Sequence, residues 1–258
     1  LFAQNKIKDG DIFFFFFLWF PGIESIPYMA YFNQKKVKIM GMLHAGSFTE
    51  TDFVANLDSW AKYIEQGWFT FIDKIFVGSN HIKKEMIEKN RIIHFGNLYN
   101  TGLPFDPTYC WKLAPLQKWE QKENIVIFSG RLVDEKQPWI FDELKRKLPG
   151  VKFIKSLELN LSKTEYYKLL SKTKIMFTSA LQENFGYATL EASAYGVNII
   201  APNRLSYAEK YPAKYLYNDL AVVEHMILNF LIEDNTIELL EIAKSQKENV
   251  KKMVGEIC

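Results

Sequence analysis

Short apolar runs alternate with longer amphipathic stretches along most of this 258-residue chain. This alternation predicts parallel β-strands joined by helices, because a crossover between parallel strands takes a dozen or more residues. In the first half, the predicted strands are residues 11–17, 37–42, 74–77 and 91–95. The predicted helices between them are residues 24–33, 51–65 and 80–89, and Ser79 with Asn80 supplies a cap for the last of these.

A proline-rich and then polar segment interrupts the alternation in the middle of the chain. Pro104, Pro107 and Pro115 precede the polar run 117–124, which is typical of a linker. We therefore predict an N-terminal domain at residues 1–115 and a C-terminal domain at 116–258. In the C-terminal domain the predicted strands are 125–129, 151–155, 174–179 and 198–201, and the predicted helices are 137–147, 164–171, 187–195 and those after 219.

This organisation predicts an α/β protein with two Rossmann-like domains that face each other across a cleft. In such folds the ligands bind outside the carboxyl ends of the strands. The loops after Ser129 and Ser179 are therefore the places to look for a site.

A run of nine apolar residues, 12–20, is the only segment that suggests a membrane. A spanning helix needs about 20 residues, and the run has neither the basic flank nor the cleavage site of a secretory signal. We therefore predict a core strand that is buried on both faces.

The charges are nearly balanced, since 32 basic and 30 acidic residues leave a net charge of +2. No broad positive field marks the chain as a nucleic-acid binder. Lys83, Lys84, Lys89 and nearby Arg91 form either a solvated basic face or a contact with an anionic membrane surface. The predicted location is the cytoplasm, with the inner face of the membrane as the alternative.

Cysteines and histidines do not form a recognisable metal site. Cys110 and Cys258 lie far apart, which predicts two free thiols in a reducing compartment, with one disulfide as the alternative. The four histidines show no H-x-x-x-H pattern, so no zinc site is predicted.

Two cations flank a short loop after the first strand of the C-terminal half. Gly130 lets the backbone turn tightly at the strand end, and Arg131 and Lys136 lie on either side of the loop. A forked guanidinium and a compact ammonium together suit a diphosphate. The alternative is that both are solvated surface charges.

Two acids occur in the segment 183–192. Glu183 follows a strand, Gly186 permits close approach of the backbone, and a helix begins near Tyr187, whose free N–H groups favour an anion. Glu191 lies just over one turn into this helix, and its carboxylate can accept two hydrogen bonds from vicinal hydroxyls. In the alternative, Glu183 only complements the helix dipole and Glu191 is an exposed side chain.

Residues 183–192 match the signature E-x-F-G-x-x-x-x-E-A, and residues 130–136 match G-R-x-x-x-E-K. Together, in this order, the two motifs resemble the retaining glycosyltransferases of the GT-B fold, in particular those of family 4. The resemblance implies transfer of a hexose-type sugar from a nucleotide diphosphate sugar, most simply a UDP- or GDP-sugar, to an acceptor hydroxyl. The acceptor is not identified and is a glycan, a glycolipid or another hydroxyl compound.

The resemblance also implies roles for the motif residues. Arg131 and Lys136 would neutralise the departing diphosphate, so that no metal and no further cofactor is required. Glu183 would contact the transferred sugar near its reacting centre, and Glu191 would hold the ribose hydroxyls. Phe185 and its neighbour Gly186 would donate backbone N–H groups to the sugar and phosphates.

The first half resembles the acceptor domain of the same family. His44 follows a predicted strand where family members often place a histidine that reaches the donor sugar, so we expect a catalytic or acceptor contact there, with a structural histidine as the alternative. The usual first strand and glycine loop have no counterpart, so the N-terminal domain is expected to be incomplete. Residues 97–103 depart from the usual N-G-[IV]-D pattern.

Two other kinds of function are compatible with the sequence. A non-catalytic nucleotide-sugar-binding module or partner subunit would keep the donor site without transfer. A nucleotide-sugar epimerase or a phosphorylase on the same fold would need further acid–base residues or a cofactor lysine, and neither is apparent in the sequence.

Overall fold

The computed structural model describes residues 1–4, 6–89 and 95–257, in two compact units, Leu1–Leu103 and Pro104–Cys258. The division falls earlier than the predicted boundary after residue 115. The cause is that the proline-rich segment forms helix α4 (Pro107–Leu113), with Asp106 as its N-cap and Pro107 in its first turn, where a missing N–H costs nothing.

Helix α4 is attached to unit 2 by hydrogen bonds from aromatic side chains. Trp111 donates its indole N–H to the carbonyl oxygen of Ala194 at 2.7 Å. The hydroxyl of Tyr195 donates to the carbonyl oxygen of Cys110 at 2.6 Å. The segment predicted as a linker is therefore part of the unit 2 core.

Within the described residues, unit 1 has a four-stranded parallel sheet in the order β1-β2-β3-β4. Its strands are β1 (Ile12–Phe15), β2 (Lys38–Leu43), β3 (Lys74–Val77) and β4 (Leu98–Asn100). Its helices are α1 (Ser25–Phe32), α2 (Asp58–Phe71) and α3 (Asn80–Glu88). The strand predicted at 91–95 falls, apart from its last residue, outside the described residues.

The aromatic run does not form the predicted strand with two buried faces. Among the described residues, strand β1 lies at an edge of its sheet and pairs only with β2. It ends at Phe15, and Phe16 beyond it is 74% exposed. The four residues of β1 are exposed or only partly buried. How far neighbouring elements cover a strand cannot be read from the apolar composition of the run. No helix of the described residues is both long and apolar enough to cross a membrane.

Unit 2 has a five-stranded parallel sheet in the order β6-β5-β7-β8-β9. Its strands are β5 (Glu123–Phe128), β6 (Lys152–Lys155), β7 (Thr173–Phe177), β8 (Asn198–Pro202) and β9 (Leu216–Tyr217). After α4, its helices are α5 (Pro138–Lys147), α6 (Lys163–Lys172), α7 (Tyr187–Ser193), α8 (Val223–Phe230), α9 (Thr236–Ser245) and α10 (Glu248–Ile257). Since β5 and β7 are neighbours, the loops that follow them meet at one edge of the sheet.

Lys122 is a buried cation that supports the end of α7. Its ammonium donates to the carbonyl oxygens of Tyr195 at 2.6 Å and Gly196 at 2.9 Å. Burial lowers the pKa of Lys122 to about 7. A neutral amine still carries two N–H groups, which is enough for both carbonyls.

We expect Lys122→Met to lower the free energy of unfolding by about 2–5 kcal/mol, because each buried carbonyl that loses its donor costs about 1–3 kcal/mol. Urea denaturation measures the change. The matched control is Lys145→Met, an exposed lysine on α5, for which a change within about 0.5 kcal/mol is expected.

The lowered pKa of Lys122 adds a pH dependence of known sign. Between pH 7 and pH 10.5 the unfolded state holds more of this proton than the native state, so stability from this group rises with pH across that range. Lys122→Met removes this part of the rise. If Lys122→Met and Lys145→Met lowered the free energy of unfolding equally, Lys122 would not stabilise the structure through the carbonyl groups at the end of α7.

Candidate functional site

A cavity of about 270 Å³ lies at the carboxyl ends of β5 and β7 in unit 2. Five of the predicted site residues line it together: Gly130, Arg131, Lys136, Glu183 and Gly186. The two sequence motifs therefore meet in space, since each loop follows one of two adjacent strands. A Cβ on Gly130 would lie 3.0 Å from the Phe128 ring, so this position has little room for a side chain.

Glu135 contacts both cations of the first loop. Its Oε1 accepts a short hydrogen bond from the Arg131 guanidinium and lies 3.7 Å from the Nζ of Lys136. The Arg131 side chain is 68% exposed, whereas that of Lys136 is 12% exposed. The alternative of two solvated surface charges therefore does not hold for Lys136. We did not assign a role to Glu135 from the sequence, although it is the acid of G-R-x-x-x-E-K.

Glu183 is held through both carboxylate oxygens. Its Oε2 lies 3.5 Å from the Nζ of Lys136, and its Oε1 accepts the backbone N–H of Gly186 at 3.0 Å. Lys136 also donates a short hydrogen bond to the carbonyl oxygen of Gln182. The N–H of Gly186, expected to be offered to a ligand, is thus already used to orient Glu183.

Gly186 is the N-cap residue of helix α7; it has a left-handed conformation with φ of +79° and provides no side-chain cap. A Cβ at this position would also lie 3.1 Å from the Oγ1 of Thr189, so the turn requires glycine. The first N–H groups of a helix have no intrahelical partner, and no side chain of the N-cap residue satisfies those of α7.

Phe185 is buried beneath a cation that the sequence motifs do not include. The Nζ of Lys210 lies 4.4 Å from the centroid of the Phe185 ring. Burial lowers the pKa of Lys210 to about 8, and the charges of Glu209 and Glu183 partly oppose that shift. Phe185 is not among the lining residues of this cavity, and its ring packs against Lys210 and the ring of Tyr187. A donor contact of its backbone N–H stays a prediction.

Tyr207 adds a neutral hydroxyl to the cavity wall. Its hydroxyl lies 3.3 Å from the Oγ1 of Thr178, and burial raises its pKa well above the ordinary value. The phenol therefore stays protonated at neutral pH. No sequence signal pointed to it, because it lies outside both motifs in the loop after β8.

Glu191 lines a second cavity of about 330 Å³, which shares Ser129 and Ala188 with the first. Its Oε1 accepts the Tyr167 hydroxyl at 2.9 Å and the Lys163 ammonium at 2.5 Å. The Glu191 side chain is 13% exposed, so the alternative of an exposed acid is wrong. Both partners come from α6 and were not predicted.

His44 lies in unit 1, directly after β2. Its Nε2 lies 3.0 Å from the carbonyl oxygen of Phe16, and its ring stacks on Phe17 with centroids 5.6 Å apart. These contacts match the alternative of a structural histidine. A contact of His44 with the donor sugar or acceptor stays a prediction.

The lysines on α3 and directly after it form hydrogen bonds or ion pairs with other groups of unit 1. Lys83 donates to the carbonyl oxygen of Leu98 at 3.1 Å, and Lys89 donates to that of Phe48 at 2.5 Å. Lys84 pairs with Glu88 on the same helix at 3.6 Å, and Arg91 lies outside the described residues. A membrane contact of this face stays a prediction. Cys110 is a buried free thiol, and Cys258 lies outside the described residues.

Sequence comparison gives a partial relative. No family model matches the chain. A stretch of 93 residues is 38% identical to tRNA-queuosine alpha-mannosyltransferase of Drosophila melanogaster, covering 36% of this chain and 24% of that protein. The chain thus spans about a quarter of this relative.

Solved structures resemble the chain over nearly its whole length. The pneumococcal O-GlcNAc transferase GtfA, in complex with UDP and GlcNAc, matches 99% of this chain and 58% of its own with a TM-score of 0.63 at 14% identity. The catalytic domain of starch synthase IV from Arabidopsis thaliana, bound to ADP and acarbose, matches 99% and 73% with a TM-score of 0.65 at 12% identity. With a parallel sheet in each of its two α/β units, the chain therefore has the fold of the GT-B glycosyltransferases, as the motifs predicted.

Proposed function

We propose that this protein is a glycosyltransferase that moves a hexose-type sugar, with retention, from a nucleotide diphosphate sugar to an acceptor hydroxyl. The observation that carries the proposal is that Arg131, Lys136 and Glu183 line one cavity at the carboxyl ends of two neighbouring strands. Cations and a carboxylate within one such cavity match the charges of a departing diphosphate and of the sugar it leaves.

Lys136 supplies the principal charge for the leaving group. It is largely buried, and Glu135 and Glu183 hold its ammonium in the cavity before any ligand binds. A cation that is already oriented stabilises the charge that develops on the diphosphate without reorganising during the reaction. Arg131 is more exposed and shares Glu135, so it adds its charge by turning from that carboxylate towards the phosphates.

Glu183 faces the sugar in this proposal. As the diphosphate leaves, positive charge develops at the anomeric carbon, and a nearby carboxylate stabilises it. The Gly186 N–H and Lys136 orient that carboxylate. In this proposal the protonated Tyr207 hydroxyl donates a hydrogen bond to a sugar or phosphate oxygen of the donor.

In this proposal, each of the two adjoining cavities binds a different part of the donor. The first takes the diphosphate and sugar, and the second takes the nucleoside, with Glu191 accepting from the ribose hydroxyls. We also propose that transfer needs no metal ion, because Arg131 and Lys136 compensate the diphosphate charge. A UDP- or GDP-sugar is the proposed donor; GtfA was solved with UDP and starch synthase IV with ADP.

A specific acceptor class follows from the partial relative. The 93-residue stretch that resembles tRNA-queuosine alpha-mannosyltransferase favours a mannose donor and a modified nucleoside of tRNA as acceptor. Glycans and glycolipids are the other acceptor classes. The net charge of +2 gives no broad attraction to nucleic acid, so a tRNA acceptor requires local contacts.

The test is a thermal-shift panel of UDP-, GDP-, ADP- and TDP-sugars, followed by transfer assays with EDTA present. We expect one nucleotide class to stabilise the protein by about 2.7 kcal/mol at a ligand concentration 100 times its Kd. That donor should then release its nucleotide diphosphate only when tRNA, a glycan or a glycolipid acceptor is added. Failure of every nucleotide sugar to bind would contradict the proposal. Binding without transfer to any acceptor class would favour the non-catalytic module instead.

A further inference from the structure

We propose that Lys163 and Tyr167 are positioning residues that aim Glu191 at the ribose, so that the site selects ribonucleotide over deoxyribonucleotide donors. This inference rests on the proposed function, because it concerns the nucleoside half of the same donor. The two residues belong to α6, and neither lies in the motifs that carry the likeness to glycosyltransferases.

Both donors act on the same oxygen of Glu191. The Lys163 ammonium lies 2.5 Å and the Tyr167 hydroxyl 2.9 Å from Oε1. Among the described residues, no hydrogen bond or ion pair joins Oε2 of this carboxylate. Because two donors already saturate Oε1, the carboxylate has one defined orientation and presents Oε2 as the acceptor for a ligand hydroxyl.

Lys163 is kept in place although half of its side chain is exposed. It is the first residue of α6, where Ser162 and Glu165 form a reciprocal capping box. Its ammonium lies 4.8 Å from the ring centroid of Tyr167 and 5.4 Å from that of Tyr166. A capped helix start and two aromatic faces thus restrict where the cation can go.

The position of Lys163 favours a role in ligand binding over a role in the stability of the fold. An ion pair in which one partner is 51% exposed contributes little to the stability of the folded state. Lys163 also lines the same cavity as Glu191, together with Tyr166 and Asn160. A cation that adds little to folding but fixes a carboxylate inside a cavity acts on whatever that carboxylate binds.

The selectivity follows from the chemistry of the acceptor oxygen. A ribose presents two neighbouring hydroxyls, whereas a 2′-deoxyribose has lost one of them and a 2′,3′-dideoxyribose has lost both. A hydrogen bond to a charged group is worth about 1.5–3 kcal/mol, which corresponds to about 10- to 150-fold in Kd. A carboxylate that is free to rotate forms that bond less often, so the preference for ribose falls.

The test uses the nucleotide diphosphate that wild type binds best, with its 2′-deoxy and 2′,3′-dideoxy analogues, in isothermal titration calorimetry. For wild type we expect the ribose form to bind about 10- to 100-fold more tightly than the dideoxy form. Lys163→Met should reduce this ratio about 3- to 10-fold, and Tyr167→Phe should change it in the same direction. The matched control is Lys168→Met, an exposed lysine of the same helix, which should leave the ratio unchanged.

A double-mutant cycle isolates the route through Glu191. In a Glu191→Gln background, Lys163→Met should change the ratio by no more than the control does. The ratio, not the absolute affinity, decides the outcome, because a merely structural role would weaken all three ligands alike.

The possible failures separate the two proposals. If wild type binds no nucleotide diphosphate, the proposed function fails and this inference fails with it. If wild type prefers ribose and Lys163→Met keeps the full preference, only this inference is overturned. A wild type that binds ribose and dideoxy forms equally would overturn it as well.

Discussion

Glu183→Gln is expected to lower kcat for sugar transfer about 100- to 1,000-fold while changing the Kd of the nucleotide diphosphate by less than about threefold. The amide keeps the size of the side chain, and its oxygen can still accept the Gly186 N–H. What it loses is the negative charge that would stabilise the sugar as the diphosphate departs. The loss should therefore appear in the transition state more than in donor binding.

The measurement is steady-state transfer at saturating donor, with donor affinity determined separately by calorimetry. Glu143→Gln is the matched control, because Glu143 is an exposed acid on α5 that forms a 4.0 Å pair with Lys147. It should keep wild-type kcat. An unchanged kcat for Glu183→Gln would remove this residue from the mechanism and leave the cavity as a donor-binding site only.

Lys136→Met is expected to raise the Kd of the nucleotide diphosphate about 10- to 100-fold, because it removes charge-assisted hydrogen bonds worth about 1.5–3 kcal/mol. The Kd of the corresponding nucleoside should change by less than about twofold, since we propose that this half of the ligand binds in the second cavity. The variant also leaves Glu135 and Glu183 without this cation, which adds repulsion towards an incoming anion. Its effect should therefore be confined to ligands that carry phosphates.

Arg131→Ala should also raise the Kd of the nucleotide diphosphate more than that of the nucleoside. The increase should be smaller than for Lys136→Met, because the Arg131 guanidinium is more exposed and already pairs with Glu135. Lys147→Met is the control, since Lys147 pairs with Glu224 at the surface at 2.6 Å. Titration of diphosphate and nucleoside side by side provides the comparison. Equal losses for both ligands would argue against a phosphate role for these cations.

Without a ligand, both cations of the first cavity are paired with carboxylates. Arg131 and Lys136 share Glu135, and Lys136 also faces Glu183. This arrangement keeps two cations in a partly buried cavity without net charge, which limits the desolvation cost. In the proposed complex, the diphosphate takes over part of the contacts that the two carboxylates make with Arg131 and Lys136.

Much of unit 2 was predictable because its local signals agree with one another. Strand β7 and strand β8 are short apolar runs, buried on both faces by helices, and they were predicted within about two residues. Helix α7 begins at the predicted Tyr187, directly after the left-handed Gly186. Where apolar pattern, turn residue and capping all point to the same element, sequence alone is sufficient.

The errors occurred where an element depends on its neighbours. The prolines before α4 predicted a linker, yet Pro107 starts a helix whose Trp111 binds unit 2. The run that contains β1 predicted a strand buried on both faces, yet the residues of β1 are exposed or only partly buried. A local sequence pattern does not specify which element a segment packs against or how far its neighbours cover it.

By itself, the sequence determined the α/β alternation and the two motifs that identify Arg131, Lys136 and Glu183 as candidate site residues. Only the tertiary structure decided how those side chains are held: Glu135 against both cations, and Lys163 against Glu191. The physical reason is that period and turn chemistry act over a few residues, whereas an ion pair between α6 and α7 depends on how the strands beneath them are ordered.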